Sequence, residues 1–130
     1  MTRINVIPVE ELSDQHLVAE YRELPRVLKQ NVSTTDAPDT YTLGKGHVKW
    51  AKKHDRYCVS RFIELVNEML DRGFNPTFRA DEKSYNGCTG EEYTPTEEDI
   101  ALNRERIKER YDAKPDFYRW TNREKPSWLD

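Results

Sequence analysis

The chain has 130 residues, of which 35% are hydrophobic, 11% aromatic and 35% charged. A chain of this length forms one domain with a real core, and it is too apolar and too aromatic to be disordered. The sequence shows no apolar run long enough for a membrane helix and no signal pattern at its start, so we expect a cytoplasmic protein.

The net charge is -3, but the charges are unevenly distributed along the chain. Residues 44–61 sum to +5, whereas residues 78–99 sum to -5. Such a distribution can leave a basic face on an acidic protein, and a basic face is one requirement for binding nucleic acid. Composition by itself favours the simpler interpretation, which is scattered and solvated surface charge.

The first helix is predicted over residues 13–30. Its apolar residues recur at helical spacing and form one face: Leu17, Tyr21, Leu24 and Leu28. Ser13 is a suitable N-cap. Pro25 lies in the helix interior, where it removes a backbone donor and is expected to kink the helix. Residues 31–46 are small, polar and rich in turn formers, so they are expected to form a loop.

A second helix is predicted over residues 54–72, with a short helix at 47–53 leading into it. Its apolar stripe comprises Cys58, Phe62, Leu65, Val66, Met69 and Leu70. Arg72 lies in the last turn, and Gly73 followed by Phe74 is a typical helix stop. Residues 75–95 are again expected to form a loop.

The third long helix begins at "TPTEED", where Thr96 and Asp99 have the spacing of a capping box. Its inner face is predicted to carry Ile100, Asn103 or Arg104, Ile107 and Tyr111, and it ends near residue 113. A short aromatic tail follows. No segment alternates like a strand, so the sequence predicts one all-α domain, residues 1–130, of three main helices with long loops and an aromatic C-terminal tail.

The cysteines and histidines do not suggest a metal site or a disulfide framework. Cys58 and Cys88 are expected to be a reduced pair. His54 and Cys58 share a helix face, but a zinc site needs about four converging ligands, so Cys58 is better explained as a core residue. No phosphate-binding glycine loop or nucleophile elbow is present.

The stretch "AEYRELPRV" in the first helix carries a polar cluster away from the apolar face. Arg22 and Arg26 are i, i+4 neighbours, and Glu23 lies one step round the helix. Paired arginines suit phosphate groups, because the planar guanidinium donates two parallel hydrogen bonds. A solvated salt-bridge face is the alternative interpretation of the same three residues.

The start of the chain supplies a candidate nucleophile. Removal of Met1 would leave a free α-amine on Thr2, with an ordinary pKa of about 7.7–8.0 against about 10.4 for lysine. Such an amine is far more often neutral at pH 7 than a lysine, and it can attack a sugar C1′ to give an imine. An N-terminus without any function is the alternative.

The sequence resembles the phage-type pyrimidine-dimer DNA glycosylases, also called endonuclease V of the UV-repair type. The resemblance is carried by "MTRIN", "SDQHLVAEYRELPRV", "LGKGHV" and "LVNEMLDRGFN", and more loosely by "KPDFYRW". It implies a compact all-α domain that uses no metal or organic cofactor. It also implies a monomer that acts on UV-damaged double-stranded DNA.

The resemblance assigns residues to roles one by one. Thr2 would be the nucleophile and Glu23 the key carboxylate. The residues implied in DNA binding are Arg3, Arg22, Arg26, Arg106, Arg110, Phe117, Tyr118 and Arg119. The implied reaction cleaves the glycosylic bond of the 5′ pyrimidine and then nicks the strand by β-elimination. Two alternatives stay open: a glycosylase or abasic-site lyase for another damaged base, and a non-catalytic DNA-binding helical module.

Overall fold

The structure, a computed structural model, describes residues 4–78 and 86–130. Within these ranges the chain forms four α-helices and no strand: α1 (Asp14–Lys29), α2 (His47–Lys53), α3 (Asp55–Asp71) and α4 (Glu97–Ala113). Short 3-10 turns lie at Val9–Glu11, Pro115–Phe117 and Ser127–Leu129. The all-α prediction is confirmed, with three long helices and the short α2 where each was expected.

The helix starts follow from local hydrogen bonding. The Ser13 hydroxyl accepts the backbone N–H of His16 at 3.0 Å and caps α1. Thr96 and Asp99 form the full capping box at the start of α4, each side chain accepting the other residue's backbone N–H. These caps satisfy N–H groups that have no partner inside the helix.

The end of α3 is also the one that the sequence predicts. Gly73 has a positive φ of 86°, and its N–H donates to the Leu70 carbonyl at 3.0 Å. The Phe74 N–H donates to the Met69 carbonyl at 2.8 Å, which completes a Schellman motif. Pro25 lies inside α1, as predicted, where it leaves one carbonyl of the preceding turn without its intrahelical donor.

The core lies where α1 packs against α2 and α3. Its least exposed apolar residues are Ile4, Ile7, Leu12, Leu17, Leu24, Val27, Trp50, Ala51, Cys58 and Leu65. The predicted apolar faces of α1 and α3 are confirmed except at Leu70, which is 40% exposed. The assignment of Leu70 to the inner stripe was therefore wrong: it lies in the last turn of α3, on the outer side of the helix.

The predicted inner face of α4 and the predicted reduced state of the two cysteines also agree with the structure. Asn103 and Ile107 of α4 are buried, and Ile100 and Tyr111 pack against the core while half-buried. Cys58 is a core residue, and both Cys58 and Cys88 are free thiols.

The C-terminal tail docks on the beginning of α1. The Asp14 N–H donates to the Arg119 carbonyl at 2.7 Å, and the Arg119 N–H donates to Gln15 Oε1 at 3.0 Å. The Trp120 indole N–H donates to the Glu11 carbonyl at 3.0 Å. These contacts hold the aromatic residues just before Arg119 beside the first turns of α1.

The predicted loop at 31–46 carries no helix or strand. Within the predicted loop at 75–95, residues 75–78 and 88–95 carry none either, whereas Asn86 is helical, and residues 79–85 lie outside the described residues. None of the helices in the described ranges is long and apolar enough to cross a membrane. No group of three or more potential metal-binding side chains converges among the residues that the structure describes.

Candidate active site

Glu23 lies on the polar side of α1, and its side chain is 21% exposed. It accepts a hydrogen bond from Arg26 Nη1 at 3.2 Å, one helical turn further along. Arg26 is 71% exposed, and Arg22 is also exposed. The predicted separation of this polar cluster from the apolar face of α1 is confirmed, and both guanidiniums face the solvent beside the carboxylate.

Glu23 lines a cavity of about 370 Å³ between α1, α4 and the tail. The residues that line it are Asn5, Gln15, His16, Ala19, Glu20, Glu23, Leu43, Gly44, Arg106, Ile107, Glu109, Arg110, Phe117 and Tyr118. The contributions of α1 and of α4 recur at helical spacing, so each helix presents one face to the cavity. Five residues that the resemblance placed in the site therefore meet here: Glu23, Arg106, Arg110, Phe117 and Tyr118.

The other predicted site residues that the structure describes lie outside the cavity lining. Arg22, Arg26 and Arg119 do not line the cavity, although Arg26 adjoins it through its hydrogen bond to Glu23. The backbone of Arg119 is used to dock the tail on α1, and its side chain is exposed. Thr2 and Arg3 lie outside the described residues.

The tail supplies the aromatic wall of the cavity. Tyr118 stacks on His16, with ring centroids 4.8 Å apart and an interplanar angle of 3°. Phe117 meets Tyr118 edge to face at 5.2 Å and is 58% exposed. An aromatic side chain this exposed at a cavity mouth can stack on a base, because every base has a π-face.

His16 is a cavity residue that the sequence patterns did not single out. Burial, together with a smaller contribution from the nearby positive charge of Arg110, lowers its pKa from 6.5 to about 4. The imidazole is therefore neutral at pH 7. The one sequence feature that could have indicated His16 as a cavity residue is its position one turn before Glu20, on the same side of α1.

The depressed pKa of His16 predicts a loss of stability in acid. Between pH 6.5 and 4 the unfolded chain binds a proton at His16 that the folded chain does not, so the free energy of unfolding falls as the pH falls through this window. Allowing for solvent screening of a half-buried ring, we expect a loss of about 2 kcal/mol. The measurement is urea unfolding of wild type and His16→Phe at pH 7 and pH 4. The free energy of unfolding of the wild type should fall more than that of His16→Phe between pH 7 and pH 4. An equal decrease in the free energy of unfolding of both proteins would contradict the prediction.

Glu20 and Arg61 form a buried ion pair beneath the cavity. Arg61 Nε and Nη2 donate to the two oxygens of Glu20 at 2.8 and 3.0 Å, and both side chains are less than 5% exposed. Burial works against the charge of Arg61, but the adjacent Glu20 outweighs it and raises the pKa of Arg61 above its ordinary value. Arg61 therefore stays charged, and it neutralises a carboxylate that borders the cavity.

Arg72 is a second buried guanidinium; it lies at the end of α3, as predicted, and its side chain also binds groups at the start of α1. It is 2% exposed and pairs with Glu68 at 2.9 Å and with Asp14 at 3.0 Å. It also donates to the carbonyls of Val9 and Glu10 at 3.3 Å. Arg72 joins the end of α3 to the start of α1, so its substitution would test folding and not DNA binding.

The cavity combines a carboxylate, arginines and an exposed aromatic side chain on an all-helical domain. Arginines can hold phosphates, a carboxylate can move a proton, and an aromatic ring can stack on a displaced base. These are the properties of a DNA glycosylase site, in which a damaged nucleotide is drawn out of the helix.

Comparison with known families gives the same class. The family model described as pyrimidine dimer DNA glycosylase matches residues 1–82, nearly two-thirds of the chain, and the chain belongs to this family. It is therefore a DNA repair glycosylase that acts on damaged DNA. The match includes Thr2, Arg3, Arg22, Glu23 and Arg26. The residues of α4 and of the tail that complete the cavity lie beyond it.

Proposed function

We propose that the protein acts on cyclobutane pyrimidine dimers in UV-damaged duplex DNA in two linked steps, as a monomer with a single domain, residues 1–130. In the first step the neutral α-amine of Thr2 attacks C1′ of the 5′ pyrimidine nucleotide. The glycosylic bond breaks, and the released pyrimidine takes up a proton while it stays joined to its 3′ neighbour through the cyclobutane ring. Opening of the C1′–O4′ bond of the sugar then gives an imine between the Thr2 nitrogen and C1′. In the second step a C2′ proton is removed and the strand breaks on the 3′ side by β-elimination, so the enzyme is also an abasic-site lyase.

The observation that carries this proposal is the shared position of Glu23 and the N-terminal segment. Asn5 lines the same cavity as Glu23. Thr2 precedes Asn5 by three residues, and three residues span at most about 11 Å. This short tether supports the proposal, because it would allow an amine at the mature N-terminus to reach the carboxylate.

Glu23 has two tasks in the proposed reaction. The imine is cationic, and an adjacent carboxylate stabilises the positive charge that develops in the transition state. The same group can accept the C2′ proton, as a general base positioned next to the sugar. Its partial burial in the cavity strengthens both effects, because charges interact more strongly away from bulk water.

The DNA would lie across the exposed side of α1 and α4. Arg22, Arg26, Arg106, Arg110 and Arg119 are exposed and would contact phosphates, with Arg3 as a sixth. A dimer weakens pairing and stacking, so kinking the duplex and extruding a base cost less at the lesion than elsewhere. Phe117 and Tyr118 are placed to stack on a base that leaves the helix.

Borohydride trapping separates the proposed reaction from the open alternatives. Reduction of the imine should give a covalent protein–DNA adduct on duplex DNA that contains a pyrimidine dimer. An adduct on abasic DNA but not on dimer DNA would assign the enzyme to another damaged base. Binding without an adduct on either DNA would overturn the proposed chemistry and leave a non-catalytic DNA-binding module.

Removal of single arginines is expected to weaken lesion binding. Arg22→Ala and Arg26→Ala should each raise Kd by about tenfold. Each should also reduce the slope of log Kd against log salt concentration by about one, because one fewer phosphate contact then releases counterions. The measurement is a titration of lesion DNA at two salt concentrations. Lys108→Ala is the control, because Lys108 is on the side of α4 away from the cavity and pairs with Asp112 at 3.1 Å. Equal losses in all three variants would indicate a diffuse charge effect instead of specific phosphate contacts.

A further inference from the structure

The segment formed by residues 4–7 is buried although it belongs to no helix or strand. Ile4 and Ile7 are fully buried, and Asn5 and Val6 are 4% exposed. Backbone N–H and C=O groups that are removed from water need hydrogen-bond partners, and no strand in the described ranges 4–78 and 86–130 provides them. The partners of this segment are side chains from distant parts of the chain.

Ile4 is held at both of its backbone polar groups. Its N–H donates to Nε2 of His47 at 3.1 Å, and its carbonyl accepts a hydrogen bond from the Tyr41 hydroxyl at 2.7 Å. Burial raises the pKa of Tyr41 well above its ordinary value, and the negative charge of Glu20 adds to the effect, so the hydroxyl keeps its proton and remains a donor.

The hydrogen bonds of His47 define its protonation state. Its Nδ1 lies 2.8 Å from the Thr42 carbonyl, which can only accept, so Nδ1 carries the proton. Its Nε2 faces the Ile4 N–H, which can only donate, so Nε2 must present a lone pair. The imidazole is therefore neutral and oriented as an acceptor for the N-terminal segment.

Val6 and Ile7 are held in the same way by α3 and α4. Asn103 Oδ1 accepts the N–H of Val6 at 2.7 Å and the N–H of Ile7 at 3.1 Å. Asn103 is fully buried, and Arg61 donates from Nη1 to the Ile7 carbonyl. We call the four side chains that bind this backbone the N-terminal clamp: Tyr41, His47, Arg61 and Asn103.

A second layer of hydrogen bonds links the clamp to the cavity. Asn103 Nδ2 donates to Asn5 Oδ1 at 2.8 Å, and Asn5 Nδ2 donates to Glu20 Oε1 at 2.9 Å. Glu20 is one turn before Glu23 on α1 and also borders the cavity. The clamp thereby fixes the N-terminal segment relative to the helix that carries the carboxylate.

Packing alone would not achieve this fixation. Burial of Ile4 and Ile7 stabilises the segment, but the hydrophobic effect has no direction and would allow the backbone to shift or rotate. Hydrogen bonds are directional, and five of them set the position of the backbone over four residues. Since Ile4 is only two residues after Thr2, its orientation limits where the α-amine can be.

We propose that the N-terminal clamp positions the Thr2 α-amine for attack, with His47 and Asn103 as positioning residues. This inference rests on the proposed function, since it requires Thr2 to be the nucleophile. A displacement of about 1 Å between reacting groups can slow a reaction by about a hundredfold. Loss of the clamp should therefore slow imine formation much more than it weakens binding of DNA.

The two activities should respond differently. An abasic site presents an aldehyde that reacts readily with amines, whereas the glycosylic carbon of a dimer needs a well-aligned nucleophile to displace the pyrimidine. Clamp variants should consequently lose dimer cleavage to a greater extent than nicking of abasic DNA. A residue that only stabilises the fold would lower both activities in parallel.

The experiment measures single-turnover borohydride trapping at saturating DNA for His47→Phe and Asn103→Ala, below the melting temperature of each variant. We expect trapping on dimer DNA to be at least about tenfold slower, with Kd for lesion DNA changed by less than about threefold. His47→Gln should recover part of the rate, because its amide oxygen can accept the Ile4 N–H. Tyr21→Phe is the matched control: it removes a buried hydroxyl that bonds to the backbone of Phe78 and not to the N-terminal segment.

The outcomes of this experiment separate a failure of the positioning inference from a failure of the proposed function. Wild-type trapping together with unchanged rates in both clamp variants would overturn the positioning inference alone. Equal slowing in Tyr21→Phe would also overturn it, because the effect would then follow general stability. An absence of any adduct with the wild type would overturn the proposed function, and the positioning inference with it.

Discussion

Replacement of Glu23 by glutamine is expected to abolish strand nicking at pyrimidine dimers. Glutamine keeps the size of the side chain and can still contact Arg26, but it has no negative charge and no basic oxygen. The variant would lose both stabilisation of the cationic imine and removal of the C2′ proton. General acid–base catalysis contributes about 10²- to 10⁴-fold by itself, so we expect a loss of at least that size in single-turnover nicking.

Binding of lesion DNA should survive the same substitution. The phosphate contacts come from arginines, and removal of a negative charge next to Arg26 does not weaken them. Glu105→Gln is the control, since Glu105 is exposed on α4 and does not line the cavity. Nicking by Glu23→Gln near the wild-type rate would remove Glu23 from the mechanism.

Arg61→Met is expected to cause the largest loss of stability. It removes the partner of Glu20, which would be left as a buried charge, and it also removes a donor to the Ile7 carbonyl. Breaking a buried ion pair from one side typically costs about 3–5 kcal/mol. Urea unfolding should show this decrease in the free energy of unfolding.

Two further variants test whether the unpaired charge of Glu20 causes this loss of stability. The double variant Glu20→Leu/Arg61→Met should recover part of the stability, because neither charge is then left alone. Lys108→Met removes a cation from an exposed pair and should change stability by less than about 1 kcal/mol. A double variant that loses the sum of both single effects would contradict this explanation.

The helices could be predicted from sequence because their signals are local. Ser13, the Thr96 and Asp99 capping box, and Gly73 act within one or two turns of the backbone. The apolar spacing of α1 and α3 identified their inner faces, with Leu70 as the exception. An apolar residue in a last turn needs a neighbouring element to cover it, and spacing does not reveal whether one is present.

The candidate site could be predicted only in part. The polar cluster around Glu23 followed from helical geometry, and the resemblance added the residues of α4 and the tail. The buried ion pair could not be found in this way, because Glu20 and Arg61 are 41 positions apart. Asn103 was expected on the inner face of α4, but its partners in the N-terminal segment are 96 to 98 positions away. A charged or polar residue on a helix is normally interpreted as solvated, and only the tertiary fold shows its partner.

The most direct measurement is to locate the covalent bond in the borohydride-trapped complex. Intact mass first establishes that the purified protein has lost Met1 and begins at Thr2. After reduction on dimer-containing duplex DNA and digestion of both components, mass spectrometry should find the sugar remnant on the peptide that begins with Thr2, at its α-amine. A remnant on a lysine side chain, or trapping by protein that retains Met1, would contradict the proposed mechanism.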